Sequence, residues 1–203
     1  MMSAEKAKSP IARLFTGIGS TLALGFLVSI LSVLTAAANY MAYRAGNVAG
    51  DYEAEGDRLL ALSNTYYLEA NQNIIVDYNM YDGFYINTSV DEFNAAYYLE
   101  QFSQPLRDSI SRESLWDQQY YEEMYAVSVA TVAEAQAAFD LSNVEDQREA
   151  GFQLSMLIAA VGLAFAAYSS LLKEENRLRM VFALIAFLLL AYSALTFFGV
   201  LIS

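Results

Sequence analysis

Residues 152–202 read FQLSMLIAAVGLAFAAYSSLL, then KEENRLR, then MVFALIAFLLLAYSALTFFGVLI. Two apolar runs, Phe152 to Leu172 and Met180 to Ile202, are parted by a short charged connection. Each run exceeds about 18 residues without a charge, enough to cross a hydrocarbon core of roughly 30 Å as a helix. Upstream, Leu14 to Ala38 is a third such run. Between the first run and this pair lies a long acidic segment, so the order is one span, a polar block, then two spans. The expected layout is a tail over 1–13, a first span over 14–39, the block over 40–151, a second span over 152–172, a connection over 173–179 and a third span over 180–203.

The chain has 203 residues, a formal net charge of −12, and neither cysteine nor histidine. Those absences remove the usual ligands of zinc, copper, haem and iron–sulfur centres. They also remove the Ser–His–Asp and Cys–His nucleophile pairs and the histidine pH switch. No cofactor is expected, and no enzymatic activity. The block from Tyr40 to Gly151 carries twenty Asp and Glu against five arginines and no lysine. Such a surface repels nucleic acid and anionic lipid headgroups, so the expected partners are the lipid bilayer and either another protein or a second copy of this chain.

Charge also orients the spans. Lys6, Lys8 and Arg13 precede the first run, and Lys173, Arg177 and Arg179 lie between the last two. Both segments read as cytoplasmic by the positive-inside rule. That puts the N-terminus inside the cell membrane, with the acidic block and the C-terminus outside. The first run, at about 25 residues, is longer than a secretory h-region, which favours a retained anchor, although Ala36-Ala37-Ala38 resembles a cleavage site.

None of the three runs contains an Asp, Glu, Lys, Arg or His. Proton relays and many ion paths need such groups at membrane depth, which opposes a transporter. The first span instead shows small residues at four- and three-residue steps: Gly17, Thr21, Gly25, Ser29, Ser32 and Ala36. Small residues let helices approach closely in lipid, where packing drives association. Ala160, Ala164 and Ala167 form a matching face on the second span. The plainer expectation packs the two faces on each other within the chain; the other reserves the first for an external partner. Phe182, Phe187, Phe197 and Phe198 make the third span bulkier and more lipid-facing.

The acidic block reads as helical and predicts an antiparallel helical bundle inserted between spans one and two, giving an all-α membrane protein. The first span can run on into this block, since only Gly46 and Gly50 weaken the helix there. Tyr81 to Ser89, with Asp82-Gly83, reads as a turn. Ser89-Val-Asp-Glu92 and Ser142-Asn-Val-Glu145 read as capping boxes, the second starting a helix that can continue into span two. Pro105 separates a helix over Val90 to Phe102 from one that begins at Leu106 or Ser114 and ends near Phe139. Most of the fifteen tyrosines lie in this block. The doublets Tyr66-Tyr67, Tyr97-Tyr98 and Tyr120-Tyr121 cannot aim both rings one way, so one of each pair is expected at the surface or a partner.

Asp77-Tyr-Asn79-Met-Tyr-Asp82-Gly83 resembles the start of a calcium loop, but the glycine is out of register and Thr88 stands where glutamate is needed. Asn87-Thr88-Ser89 is a glycosylation sequon. Glu53, Glu55 and Asp57, and the pair Glu122-Glu123, read as solvated helix faces.

Taken together, Leu27 to Gly46, Ser63 to Tyr67, and Phe152 to Arg179 around the tight connection resemble the uncharacterised prokaryotic three-span membrane proteins of domain of unknown function 4337. The resemblance implies an N-terminal anchor, a helical block and a terminal pair of spans; it implies no activity and no site residue. The function expected from the residues is an accessory, scaffold or interaction subunit of a membrane assembly. The alternatives are an extracytoplasmic sensor or ligand-binding module signalling through a partner, and a transport or channel component.

Overall fold

A computed structural model describes residues 20–174 and 176–202. The tail over 1–13, with its basic residues, and Gly17 lie outside them. Among the described residues there is no strand. The helices are α1 (Thr21–Asn87), α2 (Glu92–Glu100), α3 (Gln104–Ser111), α4 (Gln118–Leu171) and α5 (Arg177–Ile202). Three of them, α1, α4 and α5, are long and apolar enough to cross a membrane. Within the most apolar stretch of each, only 22%, 28% and 17% of residues are buried by protein. So much uncovered hydrocarbon is what a membrane protein presents to lipid.

The described residues form two compact units, one made of the stretches up to Gly50 and from Asn143 onward, the other Asp51–Ser142. Helices α1 and α4 each contribute to both. In the first unit α1 and α4 run antiparallel: Leu31 lies against Gly162, while Gly46 lies against Glu149. Leu24, Leu27 and Leu31 of α1 pack into small positions, Ala159 and Ala166 of α4 and Ala183 and Ala186 of α5. Lower on the same helices Ala38, Ala42, Phe152 and Phe197 form a second cluster, with the two rings 5.5 Å apart. Phe197 is therefore a core residue, not a lipid-facing one as its span suggested, whereas Phe187 and Phe198 are exposed.

Two serines fasten α4 to α5. The Ser155 hydroxyl donates to the Ser193 carbonyl at 3.0 Å, and Ser193 returns a bond to the Ser155 carbonyl at 2.8 Å. Both side chains are fully buried. A side chain that bonds the backbone of the facing helix requires close backbone approach, which small residues permit.

In the second unit α1 and α4 are again antiparallel. Gly56 faces Phe139, where a Cβ would come within 2.6 Å of the ring. Ser63 and Ser128 repeat the reciprocal bonding, at 3.0 and 3.1 Å. Along α1, buried small residues recur every seventh position: Ala42, Ala49, Gly56, Ser63 and Ala70. A sustained seven-residue repeat is the mark of helices that supercoil about a narrow seam.

Several local expectations need correction. Asp82-Gly83 makes no turn: α1 continues to Asn87. The glycine serves packing instead, since a Cβ there would come within 2.5 Å of the Tyr98 ring. Ser89 does not cap α2. Asp91 does, accepting from the Phe93 and Asn94 amides at 3.1 and 3.2 Å; aspartate serves as well as serine at that position. Ser142 starts no helix, because it lies buried inside α4 on the small-residue seam, and packing overrides a local capping signal. Pro105 sits in the first turn of α3, where its missing N–H costs nothing; Ser103 caps that helix by accepting from the Leu106 amide at 3.2 Å. The next helix begins at Gln118 rather than at Leu106 or Ser114, and it passes Phe139 to end at Leu171.

Candidate functional site

The small-residue face of α1 is the first candidate. Thr21, Gly25, Ser29, Ser32 and Ala36 are all exposed. A Cβ added at Gly25 would meet nothing within 4 Å. Ser29 and Ser32 return their hydroxyls to the carbonyls of Gly25 and Val28 at 2.9 and 2.8 Å. Their polarity is thus satisfied within the helix, and the face is smooth and nonpolar in effect. On α4, Ala160, Ala164 and Ala167 are likewise exposed; the buried positions are Ala159, Gly162 and Ala166. The two faces are therefore not packed on each other. In-chain contact goes through leucines of α1 set into small residues, because a bulky side chain fills the space a small one leaves.

Beside the bare face, a groove of about 470 Å³ is lined by Ser29, Ile30, Val33 and Ala37 of α1 and by Leu190, Ala194 and Phe198 of α5. Its walls are almost wholly apolar.

At one end of the first unit, Arg179 is 4% exposed. Its Nη1 donates to the Leu172 carbonyl at 2.8 Å, and its Nη2 to Thr21 Oγ1 at 3.0 Å. The Thr21 hydroxyl donates in turn to Glu174 Oε1 at 2.9 Å. One guanidinium thus caps the end of α4, where carbonyls lack helical donors, and ties the α4–α5 connection to α1. In the sequence these basic residues speak only to orientation; the signal of this second role is that Arg179 stands directly before an apolar run.

The second unit has a polar–aromatic site around Asp77. This carboxylate is 1% exposed. It accepts from the Ser103 amide at 3.0 Å, from the Ser103 hydroxyl, and from the Tyr120 hydroxyl at 2.9 Å. Asp77 thereby joins α1, the start of α3 and the start of α4, and its oxygens are committed to protein donors rather than to a calcium loop. Ile74, Phe102, Leu106 and Tyr120 form the adjoining core. Among the described residues no group of three His, Cys, Asp or Glu side chains is placed to hold a metal ion.

Next to this core, Trp116, Gln118, Tyr121, Glu122, Tyr125 and Val129 line an open groove of about 640 Å³. Trp116 has φ +57° and Glu113 φ +56°, a left-handed conformation that costs a bulky residue roughly 1–2 kcal/mol. The loop is held by a bidentate pair, Arg112 to Asp117 at 2.7 and 2.9 Å, and by Trp116 lying 4.2 Å from the Tyr78 ring. The Arg112 guanidinium holds the Asp117 carboxyl below its ordinary range. Tyr67 stacks on Tyr125 at 5.2 Å. Each tyrosine doublet is split in exposure: Tyr67 and Tyr97 lie outward of Tyr66 and Tyr98, and Tyr120 is buried while Tyr121 lines the groove.

These phenols carry a pH dependence. The Tyr78 and Tyr121 hydroxyls share a 2.7 Å hydrogen bond, which with burial pushes Tyr78 up to about 12. Burial first, and the Asp77 carboxylate second, push Tyr120 up as well. A raised phenol pKa means that the folded state holds its proton more tightly than the unfolded chain. The associated stability is complete below about pH 10 and is lost as pH rises from there toward 12 and beyond. The melting temperature is expected to hold steady from pH 7 to 9 and to fall above pH 10, with Tyr120→Phe flattening that fall.

No family model matches the chain, and no curated protein or solved structure is similar to it.

Proposed function

We propose that this chain is a non-catalytic interaction subunit of a membrane assembly, an accessory or scaffold protein held by three spans. Its N-terminal tail lies in the cytoplasm, and the acidic helical segment, an extramembrane bundle, and the C-terminus lie outside the cell membrane. The observation that carries this reading is the bare face of α1. Gly25, Ser29, Ser32 and Ala36 offer an exposed close-approach surface, with Thr21 at its end tied to Arg179 and Glu174, and in lipid such surfaces associate by packing. The flanking apolar groove widens the area a partner helix would cover.

The test is association in mild detergent. The native chain is expected to migrate as a complex, with itself or a fixed partner. Gly25→Leu with Ser32→Leu should release it to a monomer while leaving its helicity unchanged. A strictly monomeric native chain would refute the reading.

The aromatic groove favours a second reading, an extracytoplasmic sensor or ligand-binding module that signals through a partner. Its volume falls in the range of small-molecule sites, roughly 300–1,000 Å³, and Trp116 is the sole tryptophan. Under this reading a ligand perturbs Trp116 fluorescence and raises the melting temperature; a broad ligand screen with neither response would count against it.

A further inference from the structure

Of the five arginines in the acidic segment, three are committed to acceptors within the second unit. Arg58 pairs with Glu55, Arg112 with Asp117, and Arg107 donates to the Glu100 carbonyl at 2.8 Å. The other two, Arg44 and Arg148, belong to the first unit and line one pocket of about 320 Å³ with Met41, Ala45, Val48, Glu145 and Phe152. They come from α1 and α4, far apart in sequence, so the antiparallel pairing is what brings them together. Arg148 gives Nη1 to Glu145 at 2.8 Å, and its Nε is buried without an acceptor. A buried guanidinium N–H without a partner costs free energy, and a ligand oxygen could meet that need. Two arginines against one glutamate leave the pocket one positive charge, in a segment that is otherwise strongly acidic. Glu149 turns elsewhere, toward Gly46 and Gln153.

Position narrows the ligand. Arg44 stands six residues beyond Ala38, where the first apolar run ends, and Arg148 four residues before Phe152, where the second begins. At helical rise these offsets are about 9 Å and 6 Å, which puts Arg148 within and Arg44 at the outer edge of the headgroup layer, about 5–8 Å deep outside a hydrocarbon core of roughly 30 Å. Arginine matches phosphate oxygens in fork geometry, and Met41 and Phe152 supply an apolar floor on the hydrocarbon side.

We infer that Arg44 and Arg148 seat the phosphate of a membrane phospholipid at the edge of the bilayer facing the acidic segment. The inference rests on the membrane reading of the three apolar helices. Glu145 tempers the seat by holding one guanidinium nitrogen.

The test uses the full chain purified in detergent, titrated with phosphatidylglycerol, with diacylglycerol, or with inorganic phosphate, and followed by native mass spectrometry and melting temperature. Phosphatidylglycerol is expected to remain bound one per chain and to raise the melting temperature, with diacylglycerol far weaker. Arg44→Gln with Arg148→Gln should weaken lipid retention at least tenfold, and Glu145→Gln should strengthen it. If the double glutamine variant fails to fold, Arg44→Lys with Arg148→Lys keeps the charge, loses the fork, and should still weaken retention several-fold. Equal retention by the native chain and these variants would overturn the seat. An inorganic phosphate response as large as the lipid response would overturn the lipid as occupant. Alkaline carbonate extraction of membranes separates the two failures: release of the chain by carbonate refutes the membrane reading itself, whereas a carbonate-resistant chain with unaltered lipid retention refutes only the seat.

Discussion

Asp77→Ala should destabilise the second unit by about 3 kcal/mol or more, one of the two largest effects expected of a single substitution in this chain. The carboxylate accepts three hydrogen bonds in a site that is 1% exposed. Bonds to a charged group contribute about 1.5–3 kcal/mol each, and a buried donor left without an acceptor costs about 1–3 kcal/mol. Alanine strands the Tyr120 hydroxyl and the Ser103 amide together and leaves a cavity beside Leu106. The effects of the three bonds will not add fully, because they share one acceptor. Denaturant unfolding followed by Trp116 fluorescence reads the loss directly, since Trp116 packs 5.0 Å from Tyr120. Asp77→Asn keeps acceptor capacity and should retain about half of the stability lost in alanine. A midpoint unchanged by Asp77→Ala would show that the site is not the tie between α1, α3 and α4.

Ser155→Leu should have a comparable effect on the first unit. Ser155 is fully buried against Ser193, each hydroxyl bonded to the other's backbone carbonyl. Leucine removes the bond donated by the Ser155 hydroxyl, and its bulk forces α4 and α5 apart where they approach closely, which pulls the Ser193 hydroxyl off the backbone carbonyl of residue 155. Overpacking costs about 1–3 kcal/mol in well-packed interiors, and the stranded Ser193 hydroxyl adds to it. Ser155→Ala removes one bond without the bulk, leaves the Ser193 hydroxyl its backbone acceptor, and should cost only about 1 kcal/mol. Graded unfolding in sodium dodecyl sulfate separates the two variants; similar midpoints for leucine and alanine would mean that the helices do not depend on close approach here.

Much of this architecture is legible in the amino-acid sequence alone. The three apolar runs, the helical character of the acidic segment and the continuation of the first run into it all follow from length, charge and the lack of strong breakers. The choice among competing helix faces is harder to see. The stretch AAVGLAFAAY on α4 offers small residues on more than one face, and Ala159 and Ala166 are buried while their neighbours Ala160 and Ala167 are exposed. Only the length of the seam decides between them, because positions such as Ser155, Ala159, Gly162, Ala166 and Ser169 keep alternating four- and three-residue steps. Ser142 lies on that seam and Gly83 lies against the Tyr98 ring of α2, so both resemble boundaries and are not: each is small because a neighbouring element packs close. Asp77 stands seven residues beyond Ala70 on the α1 repeat, so its burial is legible in spacing, while its partners Ser103 and Tyr120 depend on the tertiary fold. The Trp116 loop carries no local signal for its left-handed residues, neither of which is glycine.

The bare face of α1 is tested most directly by a thiol placed on it. The chain contains no cysteine, so Gly25→Cys creates its sole thiol. A maleimide photo-crosslinker attached there, in native membranes, should yield one protein adduct of defined mass, a second copy or a fixed partner. The same probe at Leu195, an equally lipid-accessible position of α5 at 73% exposure, should yield lipid adducts only. Lipid adducts alone at both positions would contradict an interaction role for this face.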